Sequence, residues 1–321
     1  PLLAGAAALL AAPALAQGTR RPLRLVVPFP PCGAVDGLAR IMAERLPSLI
    51  DQPVVVDNRS GAGGLIGADA VAKGPADGTI LGIIGAATLC AAPFMQASMP
   101  FDPARGLRGV SQITSASVVL VVSGARAAER GWNDLASTLA WARANPEALR
   151  LAHAGVATVS QLVLAALSAA SGGVFTQVGY RGGAAATIDV LSGQVDGSAD
   201  LPTALIPHVR EGRIRALGVS SSTRTGIMPD MPPVAETAGL GDIDVRSWNA
   251  LMVPRATPDA EVARLSAGIR RMAAAPDFAP ALLNIGYDTV TTESPAATDA
   301  MIAAETPRWR RLVEISGARA G

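Results

Sequence analysis

The sequence predicts an α/β protein of two lobes with a cleft between them. Short β-rich runs alternate with segments of helical period, the alternation starts afresh near residue 117, and Pro- and Gly-rich loops fall where the strands end. The 321 residues suit one large domain or two ordinary ones, and two successive βα series favour two.

The elements follow in order. Residues 23–27 (LRLVV) read as a strand, and the loop Pro28 to Val35 follows. Asp36 can cap a helix that carries Leu38, Ile41, Met42, Leu46 and Leu49 on one face. Val54, Val55 and Val56 form the second strand, and the run Gly61-Ala62-Gly63-Gly64 opens a short helix to about Ala72. Residues 79–84 are the third strand, ending at Gly85-Ala86-Ala87-Thr88. This β-α-β-α-β order implies a parallel sheet with right-handed crossovers. The second series begins with a strand over 118–122. Asn133 can cap a helix running to Ala144, with Pro146 just beyond it. A strand over 149–152 leads into His153-Ala154-Gly155-Val156-Ala157-Thr158, and Thr158 can cap a helix over 159–170. Further strands are expected at 175–178, 195–199 and 216–219, joined by helices over 184–191 and 203–211. The last third offers a strand at 250–253 and helices over 259–275 and 295–315.

Composition excludes several classes. Charged residues are 17% and hydrophobic ones 50%, so the chain is not of disordered type. A net charge of +1 with no clustered Lys or Arg leaves no field for nucleic acid. Aromatic residues are 3%, too few for an aromatic-lined sugar or base site. Residues 1–16 are uncharged, too short to span a bilayer, and end Ala14-Leu15-Ala16, a small-x-small pattern. They read as the apolar region and cleavage site of a signal peptide, a buried N-terminal helix being the alternative. The mature protein is then expected to be exported and soluble. Cys32 and Cys90 form no disulfide framework or metal spacing, which leaves one bridge or two unrelated thiols.

Two junctions can hold a ligand. In open α/β sheets ligands sit beyond the carboxyl ends of the strands, where helix N-termini present unpaired N–H groups. The junctions Pro30 to Asp36 and His153 to Ser160 fit, and a small anion between them would be held by oriented dipoles rather than by net charge. Ordinary capped turns are the plainer alternative. The glycine run resembles a dinucleotide fingerprint only in part, because Ile66 stands where G-x-G-x-x-G needs glycine. For catalysis there are only His153 and His208, and a Cys32–His153 pair would lack an orienting third group. No enzymatic activity, cofactor or metal is expected.

Several segments together resemble the Bug proteins, the extracytoplasmic solute receptors of tripartite tricarboxylate transporters. They are Pro22 to Pro31 (PLRLVVPFPP) followed by Gly33 and Asp36, and Val54 to Ala68 (VVVDNRSGAGGLIGA). Pro75 to Thr79 (PADGT), Val178 to Gly182 (VGYRG), Gly193 to Asp196 (GQVD), Gly212 to Leu217 (GRIRAL) and Met228 to Pro233 (MPDMPP) complete the set. The resemblance spans the chain from about Pro22 onward. It implies a periplasmic-binding-protein (Venus flytrap) fold, with one domain over 17–122 plus 247–321 and a second over 123–246, hinged near 122–124 and 245–248. It also implies a periplasmic, monomeric receptor that binds a small carboxylate and passes it to membrane permease subunits. An orphan receptor that signals to a sensor kinase is the first alternative, and a periplasmic hydrolase using Cys32 and His153 the second. The ligand-binding residues it implies are Phe29, Pro31, Cys32, Gly33, Ala34, Asp36, Thr88, Gly155, Ala157, Thr158, Ser160 and Asp200, with Asn58 and Arg59 beside the cleft.

The chain departs from that pattern in two places. Cys32-Gly33 stands where the family has Gly-Gly, and Cys90 lies near Thr88 in sequence. The two cysteines are therefore expected to be close enough to interact or to narrow the pocket. The second loop carries Ala154, Val156 and Ala157 where the family has more Ser and Gly, which suggests a less polar pocket suited to an aromatic or branched monocarboxylate.

Overall fold

A computed structural model describes residues 20–156, 158–241 and 243–318. The expected signal peptide and Ala157 lie outside the described residues. Eleven strands form among those described: β1 Leu23–Val27, β2 Val54–Asn58, β3 Ile80–Gly85, β4 Leu107–Ser117, β5 Val119–Ser123, β6 Arg150–His153, β7 Thr176–Gly179, β8 Gly197–Asp200, β9 Ile214–Val219, β10 Arg246–Pro254 and β11 Asp288–Thr289. They make two sheets, one of six strands in the order β11-β4-β10-β3-β1-β2 and one of five in the order β7-β6-β8-β5-β9.

The apolar run of β1 follows from burial on both faces. Leu23, Leu25 and Val27 join a core with Leu38, Met42 and Leu46 of the helix Ala34–Arg45 and with Ile269 and Phe278. Val26 faces the opposite core, with Val71, Ile80, Ile84 and Trp309. A strand buried on both sides has no alternation, and β1 to β3 are parallel, as such strands usually are. The parallel order expected of the first three strands forms, and the sheet is extended by an antiparallel strand. β10 runs antiparallel between β3 and β4, because it returns from the second sheet rather than from a crossover helix. The second sheet is mixed for the same reason, β5 running antiparallel to β8 and β9.

The long strand β4 was not expected from the sequence. Its buried residues include Ser111, Gln112, Thr114 and Ser115, so it shows no hydrophobic pattern. Internal hydrogen bonds make this burial tolerable, including Ser111 Oγ to the Gln112 carbonyl at 2.6 Å, Gln112 Nε2 to the Thr114 carbonyl at 3.2 Å, and Asn249 Nδ2 to Thr114 Oγ1 at 2.9 Å. The chain leaves the first sheet at Ser117 and enters the second at Val119, earlier than the expected 122–124. It comes back at Arg246. The C-terminal helix Pro295–Ser316 then packs against both β4 and the second lobe's helix Val159–Ser171.

Two expected caps move. The helix Leu135–Ala144 is capped by Asp134 rather than Asn133, with Ser137 completing a reciprocal capping box. The helix Ala34–Arg45 starts at a Gly33 cap, and Asp36 lies inside its first turn. Thr158 caps its helix as expected, its hydroxyl accepting from the Gln161 N–H. No helix among the described residues is long and apolar enough to cross a membrane.

Candidate functional site

A cavity of about 920 Å³ opens between the sheets at the carboxyl ends of β1 and β3, where the open-sheet rule puts a ligand. Three segments at the strand ends supply much of its wall. The first junction contributes Phe29 to Val35, the segment after β3 contributes Gly85 to Thr88, and the second junction contributes Val156, Thr158 and Val159. Both helix N-termini selected from the sequence therefore meet one space.

Each terminus leaves backbone donors unused within its own helix. Gly37 N–H already bonds the Gly33 carbonyl, so the first helix supplies no acceptor for the N–H groups of Ala34 and Val35. In the second, Leu162 N–H reaches the Thr158 carbonyl and Gln161 N–H the Thr158 hydroxyl, which leaves Val159 and Ser160 without helical partners. The positive ends of both helix dipoles add to this.

The first loop is shaped from behind. Asp36 is 1% exposed, and its carboxylate accepts from Cys32 N–H at 3.0 Å, Arg40 Nε at 2.8 Å and Asn58 Nδ2 at 3.0 Å. The Arg40 hydrogen bond leads in holding its carboxyl below the usual range, with Asn58 and Cys32 adding to it against the opposing effect of burial. Asn58 also donates to the Phe29 carbonyl at 3.1 Å. Asp36 thus sits behind the loop and does not line the cavity.

The second loop is closed by its own polar groups. Ser160 Oγ accepts from Ala154 N–H at 3.0 Å and lies 2.9 Å from Thr158 Oγ1, which donates to the Gly155 carbonyl at 2.7 Å. These hydroxyls hold the turn, and of the two residues Thr158 lines the cavity. Gly155 has φ +134°, and a β-carbon there would stand 3.1 Å from the Tyr180 carbonyl, so the turn requires glycine. His153 is 4% exposed, with Nδ1 3.0 Å from the Gly155 carbonyl and 3.2 Å from its N–H. The far side of its ring lies against Gly179. Burial lowers its pKa, with the Gly155 contact opposing. The ring serves the loop and does not line the cavity that Cys32 lines.

The remaining expected residues divide. Phe29, Pro31, Cys32, Gly33, Ala34, Thr88 and Thr158 line the cavity, and Asp36, Gly155, Ser160 and Asp200 do not. Thr88 lies in a wide helical turn after β3 and donates to the Gly63 carbonyl at 3.2 Å. Gly63 and Ala62 line the wall too, so part of the glycine run builds this cavity. Asp200 accepts from Leu201 N–H at 2.8 Å, and its carboxylate lies against Gly183, where a β-carbon would require it to move. Burial raises its pKa. The sequence reading missed Met95, Gln96, Leu201, Ser247, Asn249 and Tyr287. The last three lie on β10 or just before β11, and the antiparallel pairing of β10 with β3 and β4 and of β11 with β4 brings them in.

The cysteines are apart in role, and both are free thiols. Cys32 is exposed at the cavity with φ 68°, a backbone region that favours glycine. Cys90 is buried beneath the C-terminal helix, its Sγ 3.5 Å from Thr306 Oγ1, and it does not line the cavity, contrary to expectation. Burial pushes its thiol up to about 11. In the native protein iodoacetamide should label Cys32 alone, with Cys90 labelled only after unfolding, as read by mass spectrometry. Equal labelling of both would contradict this placement.

Comparison with known proteins adds a second line. Residues 38–318 match the family described as tripartite tricarboxylate transporter family receptor. The chain is 32% identical to the protein BugT of Bordetella pertussis, over 93% of this chain and 90% of that one. Among solved structures it is similar to an R. palustris protein with adipate (29% identity, TM-score 0.79, covering 94% of this chain and 98% of that one). It is also similar to MatC from Rhodopseudomonas palustris with bound malate (28% identity, TM-score 0.74, covering 92% and 99%).

Proposed function

Because the chain belongs to the tripartite tricarboxylate transporter receptor family, we propose that it captures a small carboxylate between its two lobes. The observation that carries this reading is the meeting of two helix N-termini at one cavity. The carboxylate is held by the N–H groups of Ala34 and Val35 on one side and of Val159 on the other. Phe29, Pro31, Cys32, Gly33, Thr88 and Thr158 form the adjoining wall, while Asp36, Gly155 and Ser160 keep the two loops in shape. The first lobe comprises the residues through Ser117 and those from 246 on, the second the residues between. The division of the chain between two sheets supports this. The lobes close by hinge motion at the strand crossings near 118 and 246. The protein acts outside the cytoplasmic membrane and hands its ligand to permease subunits of a tripartite transporter. Bound adipate and malate in similar structures support the ligand class.

The test is a thermal-shift series with mono-, di- and tricarboxylates. A ligand at 100 times its dissociation constant stabilises by about 2.7 kcal/mol. At least one acid should raise the melting temperature, and a folded protein that responds to none would overturn the reading.

A further inference from the structure

Besides the two strand crossings, the lobes touch at a turn beside the hinge. The turn runs from Ile285 to Asp288 and belongs to the first lobe. Ile285 and Tyr287 pack on the core that β1 shares with the helix Ala34–Arg45, and Asp288 pairs with Ser115 of β4, just before the crossing at Ser117. The loop that it meets belongs to the second lobe, because Met228 and Met231 pack on the second sheet's core with Val119 and Leu205. Two close approaches join them. Asp288 Oδ1 accepts from Gly226 N–H at 2.9 Å, and Ile227 N–H also bonds the Asp288 carboxylate. Gly286 has φ +86°, and a β-carbon there would stand 2.8 Å from Thr203 Cγ2, on the second lobe's helix Pro202–Arg210. Tyr287, between these two points, lines the cavity.

We infer that Asp288 is a positioning residue, which holds the second lobe in the arrangement where both helix N-termini face one cavity. This goes beyond the proposed function but rests on its hinge motion. The two crossing strands are neighbours in one ladder, with Arg246 opposite Ser117. Two strands side by side bend together, and an attachment off their line resists that bending. Asp288 supplies it, with a charged acceptor that makes a stronger hydrogen bond than a neutral one. Open and closed arrangements of a hinged protein lie close in free energy, so one such bond shifts their populations. The loop is also tied to the hinge itself. Arg246 Nη2 donates to Ser222 Oγ at 3.1 Å and to Thr223 Oγ1 at 3.2 Å. Gly226 therefore stays with the hinge end of β10 as the lobes move. The electrostatics agree with this role. Burial pushes the Asp288 carboxyl up, and the groups that oppose this are Gly226 N–H, the charge of Arg246 and Ile227 N–H, which belong to that loop and to the returning strand.

The experiment compares small-angle X-ray scattering from the wild type, Asp288→Ala and Asp288→Asn, without ligand and well below the melting temperature. The radius of gyration should rise in Asp288→Ala, and Asp288→Asn, which keeps an acceptor, should lie between the two. An unchanged radius would overturn the inference. Thr203→Trp reaches the same contact from the other lobe, at an exposed position and with Asp288 intact. Its bulk should wedge the lobes apart and raise the radius as well. A wedge without effect would mean that turn and loop do not meet in solution, and would overturn the inference too. Calorimetric titration with the acids of the thermal-shift series, adipate and malate among them, adds a second readout. Asp288→Ala should bind the preferred acid about fivefold or more weakly, because only the fraction of molecules with the lobes together binds it tightly. Wild-type affinity in that variant would count against the inference in the same way. The scattering comparison needs no ligand, so it decides the inference even if no acid binds the wild type, a result that would overturn the proposed function alone.

Discussion

Replacing Ala34 by proline is expected to weaken carboxylate binding by about tenfold to a hundredfold while leaving the protein folded, and Val159→Pro should do the same. Each residue is the first of its helix, where proline is favoured because the missing N–H has no helical acceptor. The residues before them are already extended, Gly33 at φ −85°, ψ 169° and Thr158 at φ −80°, ψ 157°, which is what a following proline requires. Each substitution therefore removes one donor from the proposed carboxylate site at little cost to the helix. A hydrogen bond to a charged group is worth about 1.5–3 kcal/mol, which sets the expected loss. Val159→Ile, which keeps the N–H while changing the side chain, should bind nearly as the wild type does. Titration of the three variants decides the matter, and proline variants with wild-type affinity would rule out carboxylate capture by these N–H groups.

Asp36→Ala is expected to lower both stability and affinity. The substitution leaves Cys32 N–H without its side-chain partner and frees Asn58 from one of its two bonds. Losing a buried partner of this kind costs about 1–3 kcal/mol. The Arg40 pair contributes little of that, since the Arg40 side chain is 62% exposed and screened by solvent. Affinity falls because the same carboxylate sets the conformation of the loop from Phe29 to Gly33 that lines the cavity. The pH dependence has a definite sign. The folded-state pKa of Asp36 lies below the unfolded value, so its contribution is present above about pH 4 and is lost as pH falls through the folded value. Denaturation should give a gap between wild type and Asp36→Ala that is full at pH 7 and shrinks in strong acid. A gap that does not change with pH would mean that Asp36 acts through its shape alone.

The regular parts of this fold were legible because burial wrote them into the sequence. A strand covered on both faces must be apolar throughout, as β1 is, and the face of Leu38, Met42 and Leu46 repeats at helical spacing because one side of its helix is buried. The strand β4 was illegible because buried polar residues, satisfied by hydrogen bonds, interrupt its buried apolar ones. Caps were legible to within a residue or three. Asp134 and Asn133 can both serve the role, and only the chain direction at the helix start decides between them.

The sequence by itself determined which two loops meet at the cavity. Proline, glycine and capping residues at strand ends act locally, and a helix N-terminus carries its unpaired donors wherever the helix goes. The roles within those loops were decided by the tertiary structure. Asp36 and Ser160 look like ligand-facing polar residues when read along the chain, yet each turns inward to bond its own loop. The wall opposite, from Met95 through Leu201 to Asn249 and Tyr287, comes from segments far apart in sequence. Their proximity depends on the antiparallel return of β10 and on the approach of the second sheet, long-range pairings that no local pattern encodes. The chemical character of the site, mainly apolar among the described residues, is a property of that assembled wall.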